Sequence, residues 1–128
     1  MSQAQSKTIV IVDDDDGVRD STAVLLESCG YGTASFVSAE DLLEEIDRLE
    51  GACLLIDIQM PGTSGLELLE KLRERSIRTP AILMTANAEH IGERAVKAGA
   101  LTVLRKPFSE EALLHWIAIA FGPKASRD

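Results

Sequence analysis

Four consecutive aspartates, Asp13 to Asp16, follow directly on the apolar run Ile9-Val10-Ile11-Val12, and a further carboxylate, Asp57, ends the apolar run Cys53-Leu54-Leu55-Ile56. Thr85 closes a third run, Ala81 to Met84, and Lys106-Pro107 follows a fourth, Leu101 to Leu104. Carboxylates held side by side repel one another unless a cation or a proton relieves them. An oxygen-only donor set, with no Cys or His beside it, favours a hard divalent ion, Mg²⁺ over zinc, with water completing the octahedron. Taken singly, each residue has an ordinary explanation. Asp15 and Asp16 suit the first turn of a helix, where acids favour the dipole. Asp57 could be a loop acid, Thr85 a β-branched strand end and Lys106 a solvated charge. Asp13 and Asp14 fit such a reading poorly, because they abut a fully apolar segment. It is the joint occurrence of these residues, at or just beyond the ends of the apolar runs, that singles them out.

Meeting at one place requires a scaffold, and the hydrophobic pattern supplies one. The four runs read as strands, three of them apolar at every position as expected for strands covered on both faces. A weaker, mixed run covers Gly32 to Val37, and Thr102 interrupts the last, so these two belong at sheet edges. Helical spacing lies between the runs: Val18, Leu25, Leu26 and Cys29; Ala39, Leu42, Leu43, Ile46 and Leu49; Leu66, Leu69 and Leu72. Ser38 followed by Asp41 resembles a capping box. A fourth helix, about Ala88 to Ala98, has only Ile91 and alanines for a core face, carries Gly92 inside and has His90 at its start, so it should be the most loosely packed. The fifth begins at Ser109, with Glu110 and Glu111 in its first turn, and stops at Gly122-Pro123. Alternating strands and helices with right-handed crossovers predict an α/β, flavodoxin-like, doubly wound parallel sheet of order 2-1-3-4-5, with helices on both faces. In such a sheet the carboxyl ends of the strands share one rim, where ligands bind.

Composition narrows the function classes. The chain has 128 residues, 45% of them hydrophobic and 27% charged, which suits one folded domain. The expected division is a flexible start over residues 1–7, the domain over 8–121, and a tail or the start of a linker over 122–128. A net charge of −8 removes the basic surface that nucleic-acid binding needs from this domain alone. The longest nearly apolar stretch, Trp116 to Phe121, is far short of the roughly 18–20 residues of a membrane span. Met1 to Lys7 lacks the apolar centre of a secretory signal, so a cytoplasmic location is expected. Cys29 and Cys53, in apolar-patterned segments, read as buried free thiols. On helix five, core spacing accounts for Leu113, Ile117, Ala120 and Phe121, whereas Trp116 and Ile119 fall on another face and suggest a partner surface. His90 and His115 have no carboxylate or Cys at ligand spacing.

The segments Ile11-Val12-Asp13-Asp14, Asp57 to Gly65, Met84-Thr85-Ala86 and Lys106-Pro107-Phe108 resemble the response-regulator receiver domain of bacterial two-component signalling, over roughly Lys7 to Phe121. Val18-Arg19 and the Met60-Pro61-Gly62 loop are most similar to receivers of the FixJ and NarL type. The resemblance implies that Asp57 accepts a phosphoryl group from a sensor histidine kinase. It places Mg²⁺ on Asp13, Asp14, Asp57 and the backbone carbonyl of Gln59. It has Thr85 donate its hydroxyl to a phosphoryl oxygen beside the small Ala86, and gives Lys106 the second positive charge, with a cis bond before Pro107. Such a chain is no enzyme acting on a separate substrate; it catalyses only its own Mg²⁺-dependent phosphorylation and dephosphorylation. The resemblance further implies that it would switch an output, such as transcription, through a helix 4/strand 5/helix 5 face that takes a homodimer or an output domain. Val103 departs from the family, which often has Tyr or Phe there, so the signal would run through Thr85 and the loop before helix four. The competing classes fit less well. A haloacid-dehalogenase-type phosphohydrolase wants an aspartate two residues after the nucleophile, where Gln59 stands. A flavodoxin-like cofactor carrier wants a Ser/Thr/Gly-rich phosphate loop in place of four aspartates. A pseudo-receiver, acting only as an interaction module, leaves the filled chemical positions unexplained.

Overall fold

The strands β1 (Thr8–Val12), β3 (Cys53–Asp57) and β4 (Ala81–Thr85) form the centre of a parallel sheet edged by β2 (Gly32–Phe36) and β5 (Thr102–Arg105), in the order β2-β1-β3-β4-β5. The computed structural model describes residues 7–122. Most of the expected flexible start and of the tail beyond Gly122 lies outside the described residues. Around the sheet run α1 (Asp16–Ser28), α2 (Ala39–Leu43), a 3₁₀ turn at Ile46–Leu49, α3 (Gly65–Glu74), α4 (Gly92–Lys97) and α5 (Glu110–Phe121).

Strand alternation explains the uninterrupted apolar runs. Val10, Val12, Leu54, Ile56 and Leu83 enter one core with Leu42, Leu66, Leu69 and Leu72 of α2 and α3. Their neighbours Ile9, Ile11, Leu55, Ile82 and Met84 enter the other with Leu26, Leu113 and Ile117 of α1 and α5. Successive side chains of a strand face opposite ways, so a strand covered on both sides has no position left for a polar residue. The mixed runs are the edges, as expected.

Three local expectations need correction. The second helical pattern is divided: α2 ends at Leu43, and Ile46–Leu49 continues only as a 3₁₀ turn. Glu40 and Glu44, and likewise Asp41 and Glu45, would be like-charge pairs one turn apart in a continuous helix, and acids at a helix C-terminus oppose its dipole. The fourth helix begins at Gly92, and Gly92 is its first residue, not an interior one. His90 has φ +64°, a left-handed conformation that no α-helix accommodates, so residues 88–91 form a turn. The helix is loosely anchored, with Ala95 its one buried side chain. Finally, Cys53 is buried but Cys29 is exposed, because it caps the C-terminus of α1 where the chain turns outward.

Candidate functional site

Asp13 is the first residue beyond β1, and Asp57 is the last of β3. The two strands are hydrogen-bonded neighbours with Val12 opposite Ile56, so strand pairing alone brings both carboxylates to one rim. Asp13 is fully buried and Asp57 nearly so, while Asp14 faces solvent. One oxygen from each of the three lies within 4.8 Å of the others. The acid run then divides as the dipole argument requires: Asp15 caps α1 by accepting from the Val18 N–H at 3.0 Å, and Asp16 opens the helix.

Each oxygen has a distinct setting. Asp13 Oδ1 accepts from the Asp15 N–H at 2.9 Å, whereas its Oδ2 is buried without a hydrogen-bond partner. Asp57 Oδ1 accepts from the Gln59 N–H at 3.1 Å. From beyond β5 the Lys106 ammonium reaches to 3.4 Å from Asp57 Oδ2 and 3.8 Å from Asp13 Oδ2. The Lys106–Pro107 bond is cis. Burial pushes the Asp57 carboxyl above the ordinary aspartate range and the Asp13 charge adds to that; the Gln59 N–H and Lys106 pull the other way.

A buried carboxylate oxygen with no donor is costly. Among the described residues, Lys106 is the one cation within 4 Å of the Asp13 and Asp57 carboxylates, and the exposed Asp14 adds a third negative charge to the group. The remaining negative charge, the hard oxygen donors and the orphaned Oδ2 together fit a divalent cation of the Mg²⁺ class.

Thr85, at the end of β4, is fully buried, but its hydroxyl is engaged locally: it donates to the Asn87 carbonyl at 3.0 Å and accepts from the Asn87 N–H at 3.1 Å. Gln59 does more than its backbone role, for its side-chain carbonyl accepts from the Ala86 N–H at 3.2 Å and joins the loops after β3 and β4. The loop after Asp57 is also tied to α2, where Glu40 accepts from the Thr63 hydroxyl at 2.7 Å. That bond holds the Glu40 carboxyl below its ordinary range. Neither contact is legible from spacing, since both span distant segments. Arg19 is a further residue that spacing did not single out for a role: it donates to the Asp13 carbonyl at 2.7 Å and pairs with Asp16. Beside Lys106 an open cavity of about 520 Å³ is lined by Val18, Ser21, Pro107 and Phe108.

The two residues read as a partner face differ. Trp116 is half-buried against the α1/α5 core, whereas Ile119 is exposed. Val96 on α4 is exposed as well. Val103 packs half-buried against the opposite core.

A family profile described as the response regulator receiver domain matches residues 9–118. The transcriptional regulatory protein FixJ of Azorhizobium caulinodans is 36% identical over 96% of this chain and 59% of its own. The response regulator protein TmoT of Ectopseudomonas mendocina is 37% identical over 91% of this chain and 53% of its own. The chain therefore spans little more than half the length of these relatives. Among solved structures, FixJ-N superposes with a TM-score of 0.85 at 34% identity, covering 91% of this chain and 94% of that one. The response regulator StyR gives 0.87 at 39% identity, covering 95% and 62%.

Proposed function

The chain belongs to the response regulator receiver domain family, and from that premise we propose that Asp57 is the phosphoacceptor of a signalling switch whose donor is a sensor histidine kinase. The observation that carries the assignment is the setting of Asp57: a nearly buried carboxylate beside a buried, half-unpartnered Asp13, with Lys106 reaching both. Asp13, Asp14, Asp57 and the Gln59 backbone carbonyl would hold Mg²⁺. When bound, the ion would supply charge neutralisation for anion meeting anion at the carboxylate.

The chain's own residues do the rest. Desolvation makes the Asp57 carboxylate more basic and a better nucleophile, while the Gln59 N–H fixes Oδ1 and leaves Oδ2 on the Lys106 side. Lys106 stabilises charge developing on the phosphoryl oxygens. Thr85 would exchange the Asn87 carbonyl for a phosphoryl oxygen, freeing the loop that leads to α4. With one buried side chain, α4 offers little resistance to that movement. The switch therefore needs no aromatic residue at Val103.

The domain proper is taken as 8–121. The output would act through α4, β5 and α5, with exposed Ile119 and Val96 as contacts for a second copy or for an output domain, and with Trp116 contributing only its uncovered edge. A cytoplasmic regulator of transcription fits relatives whose names describe transcriptional regulators. Among the described residues, no helix is long and apolar enough to cross a membrane.

Incubation with acetyl phosphate and Mg²⁺, followed by intact mass measurement, tests the assignment. A phosphoryl adduct is expected that Asp57→Ala abolishes; an adduct persisting in the variant overturns it. Amide exchange tests the switch: beryllofluoride should accelerate exchange in residues 86–97, and an unchanged pattern refutes the route through Thr85.

A further inference from the structure

The Arg19 side chain is only 12% exposed, although the carboxylate it pairs with, that of Asp16, is 83% exposed. A guanidinium withdrawn from water must be compensated by good partners. Arg19 spends its Nη1 donor on a main-chain oxygen, the carbonyl of Asp13, at 2.7 Å, rather than on the acids facing the rim. Its own backbone N–H donates to the Asp15 carbonyl at 2.9 Å, so the guanidinium is anchored on the first turn of α1.

The result is a clamp around one residue. The Asp13 N–H donates to the Phe36 carbonyl at 3.2 Å, continuing the β1–β2 ladder by one bond. The Asp13 carbonyl is held by Arg19 and Oδ1 by the Asp15 N–H, which leaves Oδ2, with the Lys106 ammonium at 3.8 Å, as the one group of the residue without a hydrogen bond. Two of these bonds come from backbone, and Arg19 supplies the third. We propose that Arg19 is a positioning residue for the cation site: by fixing the Asp13 peptide it aims Oδ2 at the position the ion would take. The inference rests on the reading that Asp13, Asp14 and Asp57 bind Mg²⁺.

Two effects of Arg19 oppose each other. A positive charge near the site repels a cation, whereas an ordered ligand costs less to bind. The ion pair with Asp16 offsets the charge but leaves the hydrogen bond intact, so ordering wins. Partners of this kind, acting through a metal ligand, typically change metal affinity by about 10–100-fold.

The test is a Mg²⁺ titration of the full chain, read by amide shifts of residues 13–15 and 57–59, for the parent, Arg19→Ala and Arg19→Lys. Arg19→Ala should raise the Mg²⁺ Kd on the order of tenfold, and Arg19→Lys, which keeps one reachable donor, should recover part of that loss. The Asp15 amide, bonded to Asp13 Oδ1, should exchange faster in Arg19→Ala without ion. Equal or tighter binding in Arg19→Ala would mean that charge dominates and would overturn the proposal. If Arg19→Ala does not fold, Arg19→Met, which keeps an apolar stem but no donor, decides: binding at the parent's strength with an unchanged Asp15 exchange rate refutes the role. A parent that bound no Mg²⁺ at all would overturn the underlying site as well, which separates the two failures.

Discussion

The ammonium of Lys106 stands 3.4 Å from Oδ2 of Asp57, across the mouth formed by the ends of β3 and β5. Burial raises the Asp57 carboxyl and Lys106 restrains that rise. Lys106→Met should therefore move the Asp57 titration midpoint upward, observable as the carboxyl carbon shift in NMR with no divalent ion present. A midpoint that stays put or falls would show that the lysine does not act on this carboxylate.

Asp57 held above its ordinary range means that the folded state binds its proton more tightly than the unfolded chain does. Its contribution to stability is full below the unfolded value and is lost as pH rises through the folded one. At neutral pH the ionised group is thus a liability without a cation. Asp57→Asn should raise the stability of the ion-free protein, on the order of 1 kcal/mol, as relief of a functional site commonly does. Mg²⁺ should raise the Tm of the parent, and the same substitution should abolish that rise. Thermal melts in EDTA and in Mg²⁺ check both signs.

Gly65 opens α3 directly behind Asp57. A Cβ built there would lie 2.3 Å from the Asp57 carbonyl oxygen and 2.6 Å from Ile56 Cγ2. Backbone cannot yield as a flexible side chain does, so Gly65→Ala should cost about 1–3 kcal/mol and displace Asp57. Urea denaturation measures the first effect, and the rate of acetyl-phosphate labelling the second.

Arg94 of α4 grips Glu70 of α3 through two bonds of 2.8 Å, Nε to Oε2 and Nη2 to Oε1. Both side chains are substantially exposed, so a double-mutant cycle should give only about 0.2–1 kcal/mol. On a helix with one buried side chain even that is local leverage. Arg94→Ala should speed amide exchange in residues 92–97 while leaving β3 and β4 unchanged, and added salt should mimic it in the parent.

Cys53 is fully buried, and desolvation pushes its thiol up to about 12, whereas Cys29 is exposed. Thiol reagents at mildly alkaline pH should therefore modify one cysteine in the native protein and two in denaturant. Because the Cys53 value is raised on folding, this group's contribution to stability is full below the unfolded thiol value and falls as pH climbs toward about 12. Rapid native modification of both thiols would contradict the burial.

Much of the fold was legible because its pattern is local. Apolar runs two-sided in composition became the central strands, mixed runs became edges, and Ser38 and Ser109 cap α2 and α5 as hydroxyl residues do; the Ser64–Glu67 capping box of α3 went unread. What misled was also local. Helical spacing across Leu43 to Ile46 conceals the stacking of acids one turn apart, and alanine-rich spacing around Ile91 does not reveal that His90 takes a left-handed turn. Cys29 shares the apolar spacing of α1, yet only Leu26 of that helix is fully buried.

Residue type, order and position after each strand determined which side chains could meet, since adjacent parallel strands deliver their last residues to one edge whatever the loops do. Sequence alone could not decide how each oxygen is used. That Asp13 Oδ2 is left without a donor, that Thr85 spends its hydroxyl on Asn87, that Gln59 reaches Ala86 and that Arg19 holds the Asp13 carbonyl are matters of direction and distance between segments far apart in the chain. Hydrogen bonds fall away steeply with angle and separation, so only packing in three dimensions settles which of the possible partners each group takes.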